Sequence, residues 1–217
     1  MKPIHLVAYS ETHAPLFKKH FLPSYVDHGI NRAFDIQEIH IDRISGEFGS
    51  DIFNEWMLKM MADFRNFLAS HMGQTILSTG VDMRFYADIS EEVLEAVEEH
   101  EFVSINDNYG LWCADFMVFK VTDRIISLFD WAIRNDRYYA NNEFTLNHGT
   151  MELGIDVHLL HDDYFTVGLN NGGVAWNPGD PVNPPETMKL HHANFTVGAE
   201  NKMKLLDAVL SAHQSLS

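Results

Sequence analysis

The chain has 217 residues, 46% of them hydrophobic, and its 31 acidic side chains against 15 basic ones give a formal net charge of −16. Nucleic acid and anionic membrane surfaces are held by Lys and Arg that displace counterions, so this balance excludes both as partners. No apolar run is long enough for a transmembrane span, and a phosphate-bearing substrate would need a local cation, either a metal ion or a few well-placed bases.

The length suits one domain over 1–217. A single cysteine, Cys113, forbids an internal disulfide and fits a reducing, cytoplasmic setting. Residues 4–9 (IHLVAY) read as a buried first strand rather than part of a signal peptide, and Ser10, Thr12 and Pro15 end it. A helix is expected over about 14–27, then an alternating strand over 36–41 (IQEIHI). Residues 51–71 place Phe53, Trp56, Met57, Met60, Met61, Phe64, Phe67 and Leu68 at helical spacing, with Gly73 as the stop. Residues 74–79 (QTILST) return to a strand. Ser90 opens a helix whose first turn is acidic, which suits the helix dipole. Strands follow at 101–106 and 116–121, then a helix at 122–134 capped by Thr122 or Asp123. This alternation predicts an α/β layered sheet. The C-terminal third holds short strands, a turn-prone Asn170-Asn171-Gly172-Gly173, a proline-rich stretch from Asn177 to Pro185 and a last helix over 200–213. A loop this long reads as an active-site wall.

Two clusters carry chemistry. Gly80-Val81-Asp82-Met83-Arg84-Phe85 lies at a strand exit, where α/β sheets bind ligands. Side chains two apart share a face there, which groups Gly80, Asp82 and Arg84, and a carboxylate in that place can hold a divalent cation. The plainer alternative makes Asp82 a turn residue. The second cluster runs from Lys189 through His191, His192, Asn194 and Gly198 to Lys202. An imidazole suits Mn²⁺-class ions, a lysine can clamp a diphosphate, and a helix starting near Ala199 offers free N–H groups. The plainer alternative is a surface histidine pair in a chain with 13 histidines.

Taken in order, these motifs resemble the GT-A type nucleotide-diphospho-sugar glycosyltransferases. Residues 193–198 (ANFTVG) with His192 and Lys202 are similar to that family's C-terminal His-x-Asn-x-x-x-Gly…Lys element. Gly80–Ile89 resembles its D-x-D stretch, Cys113-Ala114-Asp115-Phe116 its Cys-Ala-Gly-Phe strand, and Asn142-Glu143 with Asn147 its D-Q-x-x-x-N element. The resemblance implies a single GT-A (Rossmann-like) mixed sheet flanked by helices, with a loop-rich C-terminal part closing the donor site. It also implies a transferase that moves a sugar from a nucleotide-diphosphate donor, UDP-sugar foremost, to a glycan or other hydroxyl acceptor, with retention and with Mn²⁺ or Mg²⁺ held by Asp82 and His192. The donor would meet Tyr9, Ser10, Lys59, Arg65, Asp82, Asn194, Gly198 and Lys202. Asp115 is the catalytic carboxylate this reading favours, and Trp112, Trp176 and Tyr109 are the aromatics available to an acceptor sugar. The chain departs from the family at Gly80, where the first Asp of D-x-D belongs, at Asp115, and at Asn142-Glu143. Those losses leave room for a non-catalytic sugar-nucleotide or glycan-binding module. A metallohydrolase built on His158 and His161, read as sharing a helix face, with His191 and His192 is the other alternative, although no zinc signature accompanies it.

Overall fold

The computed structural model describes residues 2–41, 51–107, 110–136, 142–170 and 173–216. Strand β1 (Ile4–Ser10) leads through α1 (Ala14–Leu16), a π-helical turn (Phe17–Phe21) and α2 (Leu22–Asp27) to β2 (Asp35–Ile41). Then come α3 (Asp51–Ala69), β3 (Thr75–Thr79), β4 (Met83–Phe85), α4 (Ser90–Glu99), β5 (Phe102–Asn106), β6 (Trp112–Lys120) and α5 (Asp123–Asn135). The remainder is α6 (Asn142–Glu152), β7 (Val157–Leu160), β8 (Tyr164–Thr166), α7 (Val167–Asn170), β9 (Leu190–His192) and α8 (Ala199–Gln214).

The main sheet has the order β2-β1-β3-β6-β5-β7. Strands β1, β2 and β3 run parallel, β6 is antiparallel to both β3 and β5, and β7 is parallel to β5, so β6 alone is reversed. The carboxyl ends of β1, β3 and β5 therefore share one edge with the start of β6. A second sheet, β4-β9-β8, pairs Met83 with His192.

Helices cover both faces of the main sheet, as the alternation of β1 requires. Val7 and Tyr9 face a core built with Phe21, Tyr25, Val93, Leu205 and Leu206. Ile4 and Leu6 face another, built with Met61, Leu68, Ile125, Leu128 and Leu146. The expected cap of α5 is present, with Thr122 Oγ1 accepting from the Ile125 N–H at 3.3 Å.

Strand β6 breaks its own alternation. Trp112 and Ala114 face the second core and Cys113 the first, yet Phe116 also faces the first and Met117 the second. Residue 115 is thus one residue too many. The pairing with β5 shifts register between Ser104 and Asn106, and the Ser104 hydroxyl fills the gap, 3.0 Å from Cys113 O and 2.7 Å from Phe116 O. A bulge of this kind re-aims a side chain, and here it turns Asp115 outward. The sequence predicts β6 only from 116. The strand starts four residues earlier and puts Asp115 inside it.

Two more expectations change. Residues 83–85, read as part of a strand exit, form β4. Residues 157–160 are strand β7, so His158 and His161 share no helix face. Their rings serve other contacts: His158 stacks on His100 with centroids 4.1 Å apart, and His161 pairs with Asp163. Among the described residues, no helix is long and apolar enough to cross a membrane.

Candidate functional site

The sheet edge collects four charged side chains from four parts of the chain. Asp82 follows β3, Asp115 projects from the β6 bulge, His192 ends β9 and Lys202 stands on α8. His192 is brought to Asp82 by main-chain pairing: Met83 lies opposite His192 in the register, and the Ala193 N–H donates to Asp82 O at 2.8 Å. His192 Nε2 lies 3.6 Å from Asp82 Oδ2 and 3.7 Å from Asp115 Oδ2. Lys202 Nζ donates to Asp82 Oδ2.

One ligand atom from each of Asp82, Asp115 and His192 falls within 4.8 Å of the others. Two oxygens and an imidazole nitrogen suit Mn²⁺ or Mg²⁺. Among the described residues, the buried His192 Nε2 meets no hydrogen-bond partner at bonding distance, although it faces two carboxylates. A buried polar atom in that condition needs a reason, and a cation between these three groups supplies one. The set is closed on one side and open on the other: Asp82 and His192 are 5% and 2% exposed, whereas the Asp115 side chain is 57% exposed.

Gly80 explains its own identity. A Cβ built there would stand 2.6 Å from Asp82 Oδ1 and 3.6 Å from Asp115 Cβ. The space for a side chain at residue 80 is taken by the two aspartates. The Gly80 N–H also donates to Asp115 O at 3.0 Å, which ties the β3 exit to the bulge.

The charges hold one another. Burial raises the Asp82 pKa, but Lys202 and His192 outweigh it and keep the carboxyl well below its usual range. Burial likewise disfavours the charged forms of His192 and Lys202, and the Asp82 carboxylate reverses both, so both pKa values are raised. His192 Nδ1 rests 3.4 Å from Cys113 Sγ. Burial, then the Asp115 charge, pushes that thiol well up, so Cys113 is a packing partner and not a nucleophile.

A second polar layer lies beside this one. Asn194 Nδ2 donates to Asp107 Oδ1. Asp107 shares a hydrogen bond with Glu143, whose pKa is raised to about 8 by burial and by the charges of Asp107 and Asp115. His13, from the turn after β1, holds Ser10 Oγ at 3.0 Å through Nδ1. Burial and Lys202 lower its pKa, against the pull of Asp82 and Asp115.

No family model matches the chain, and no curated protein matches it in sequence. Solved structures do. The apo form of glycosyltransferase GlyE from Streptococcus pneumoniae TIGR4 superposes with a TM-score of 0.60 at 13% identity, covering 100% of this chain and 64% of that one. The apo form of mouse xyloside xylosyltransferase 1 gives 0.55 at 9% identity, covering 89% and 98%. A glycosyltransferase involved in glycosylating the major capsid of PBCV-1 gives 0.58 at 7%, covering 94% and 100%. The fold is the glycosyltransferase GT-A type. The chain spans just under two thirds of GlyE's length and the whole of the PBCV-1 enzyme's.

On this GT-A framework the residues singled out from sequence fall into two groups. Asp82, Asp115, His192 and Lys202 converge, with Asn194 and Ser10 in the adjoining layer and Gly198 at the N-terminus of α8 in a left-handed-side conformation, φ 86°. The others are engaged elsewhere. The Tyr9 ring is buried, stacked on Phe17 with its hydroxyl on Glu38. Lys59 pairs with Asp63 at 2.7 Å and Arg65 with Asp130 at 2.8 Å. The Trp112 ring is buried against Phe102, its Nε1 donating to Thr150, while its backbone is clamped by Asn147. Trp176 is buried too, with Nε1 donating to Asp180 O at 3.1 Å. Neither indole has a free face for a sugar, because each fills space inside the fold. Tyr109 lies outside the described residues. His13 and Asp107 were not expected. Each is a polar residue just past a strand that ends at the ligand-binding edge, which is the signal that would have found them.

Proposed function

We propose that the chain is a glycosyltransferase that takes a sugar from a nucleoside-diphosphate donor, with UDP as the nucleotide, and passes it to a hydroxyl of a glycan or related acceptor. The observation that carries this reading is the convergence of Asp82, Asp115, His192 and Lys202 at the sheet edge of a GT-A fold. The whole of 1–217 acts as one catalytic domain.

Asp82, Asp115 and His192 would hold Mn²⁺ or Mg²⁺, with Asp115 standing in for the carboxylate absent at Gly80. A divalent ion there supplies Lewis-acid stabilisation of the charge that develops on the departing diphosphate. Lys202, held at the same place by Asp82, is positioned to add a second positive contact to the diphosphate. His192 would serve as a ligand in its neutral form, so metal loading would release its proton and would weaken at low pH. Ser10, oriented by His13, meets the nucleoside side of the donor, and Asn194 and the free N–H groups beyond Gly198 meet its phosphates.

For the chemistry itself, the leaving phosphate accepts the acceptor's proton and the sugar is transferred with retention. Asp115, with its side chain largely exposed, is the carboxylate available to the donor sugar. The protein's own contribution is to fix these groups before the donor binds, so little reorganisation is left for the reaction.

The test is release of nucleoside diphosphate from a panel of nucleotide sugars, with Mn²⁺ or with EDTA, in the wild type and in Asp82→Ala and His192→Ala. Mn²⁺-dependent release lost in both variants supports the reading; undiminished release in either one rules out the metal site.

A further inference from the structure

The chain leaves β9 at His192 and comes back to Asp82 with Lys202 on α8. Between the two lies Phe195, whose φ of 54° makes it the one non-glycine residue with a positive φ among the described residues. A bulky side chain seldom adopts that conformation, and it persists where the surroundings enforce it. Main-chain bonds hold the turn on both sides: the Ala193 N–H donates to Asp82 O at 2.8 Å, and the Trp176 N–H donates to Phe195 O at 2.7 Å. The half-buried Phe195 ring is seated on Gly168 in α7, where a Cβ would stand 2.1 to 2.5 Å from its Cδ2, Cε2 and Cγ. Gly168 has no positive φ of its own, so its missing side chain serves the ring and not the backbone.

Helix α8 is anchored in the core by Leu205, Leu206 and Val209. Lys202 stands ahead of these residues in the first turn, its N–H donating to Gly198 O at 3.0 Å. Its placement therefore depends on the turn that delivers the helix. His192 lies before the turn and is fixed in the small sheet, opposite Met83 on one side and Thr166 on the other. We propose that Phe195, seated on Gly168, is a positioning residue that sets Lys202 where it meets the donor diphosphate. The inference rests on the proposed donor site. It adds the pair of residues that holds the lysine of that site in place.

Gly168→Ala puts a methyl where the ring sits and so displaces it. Calorimetry gives Kd for Mn²⁺ alone and Kd for UDP in Mn²⁺, for the wild type, Gly168→Ala, Lys202→Met and the double variant, with a urea melt to check that each is folded. Loss of a well-placed charged contact should weaken UDP binding by about 10-fold in Gly168→Ala, while Mn²⁺ binding stays as in the wild type. In the Lys202→Met background the same substitution should cost nothing further, because the residue it acts through is gone. Phe195→Ala removes the ring without adding a methyl; it should repeat the pattern, and it replaces Gly168→Ala if that variant does not fold. Wild-type UDP affinity in these variants, or the same loss with and without Lys202, overturns the inference and leaves the transferase reading intact. A loss of Mn²⁺ affinity as large as the loss for UDP puts the effect at His192 and overturns it too. If the wild type does not bind UDP in Mn²⁺, the donor site itself fails, and the positioning role with it.

Discussion

Replacing Gly80 with alanine probes the site with a single methyl group. In most strand exits such a change would be minor. Here the new Cβ would stand 2.6 Å from Asp82 Oδ1, and the oxygen must retreat by about 0.8 Å to reach an ordinary carbon–oxygen contact. Asp82 has little freedom to do so, because its other oxygen is held by Lys202 and faces His192 at 3.6 Å. Metal–ligand distances tolerate displacements of only about 0.2 Å. We therefore expect Gly80→Ala to weaken Mn²⁺ binding by about 10- to 100-fold, the range seen when the supports of a ligand are disturbed. Overpacking should cost about 1–3 kcal/mol of stability, leaving a folded protein. Calorimetric titration with Mn²⁺, alongside a urea melt of the same sample, separates the two effects. The same geometry makes Gly80→Asp harmful. Mn²⁺ affinity in Gly80→Ala equal to that of the wild type would refute the account of why glycine stands there.

Other perturbations follow from the same charges. Lys202→Met removes the cation that Asp82 meets in the absence of metal. The variant should lose about 2 kcal/mol, below the full value for breaking a buried pair because Lys202 is partly exposed, and saturating Mn²⁺ should restore most of the loss in a thermal melt. A deficit that Mn²⁺ leaves untouched would place Lys202 outside the metal's surroundings. Glu143 holds its proton up to about pH 8 in the fold, whereas an unfolded glutamate releases it in the ordinary carboxylate range. The folded state thus binds more protons across that window, and stability must fall as pH rises through it. Glu143→Gln keeps the hydrogen bond to Asp107 without the titration. Its melting temperature should gain on the wild type steadily from pH 5 to about 8 and level off above; parallel profiles would mean that Glu143 ionises normally.

Much of the framework was legible because the forces behind it act locally. The period-two run of β1, the period-3.6 run of α3 and the Thr122 cap state their structures in a few residues. Helix α6 did not, since its buried face is Thr145, Leu146, Asn147, Gly149 and Thr150 rather than an apolar stripe. Gly149 is there because a Cβ would meet Leu128 and Trp131 at 2.8 and 2.9 Å, a demand set by another helix and invisible in sequence. The site was legible in part for a similar reason. Asp82, His192 and Lys202 sit in ordered motifs, so their convergence could be expected. The outward turn of Asp115 depends on a bulge that only the β5–β6 pairing creates. The tryptophans misled because an aromatic in a motif carries no mark of which way its ring faces, and both rings here found hydrogen-bond partners inside the fold.

The central claim is that Asp82, Asp115 and His192 hold a divalent ion that in turn holds a nucleoside diphosphate. Calorimetric titration of UDP into the protein tests it most directly, with Mn²⁺ and with EDTA, in the wild type and in Asp82→Ala and His192→Ala. The account predicts UDP binding in the wild type only with Mn²⁺, and a loss of at least about 10-fold in each variant. UDP affinity that is indifferent to EDTA, or retained in Asp82→Ala, would contradict it.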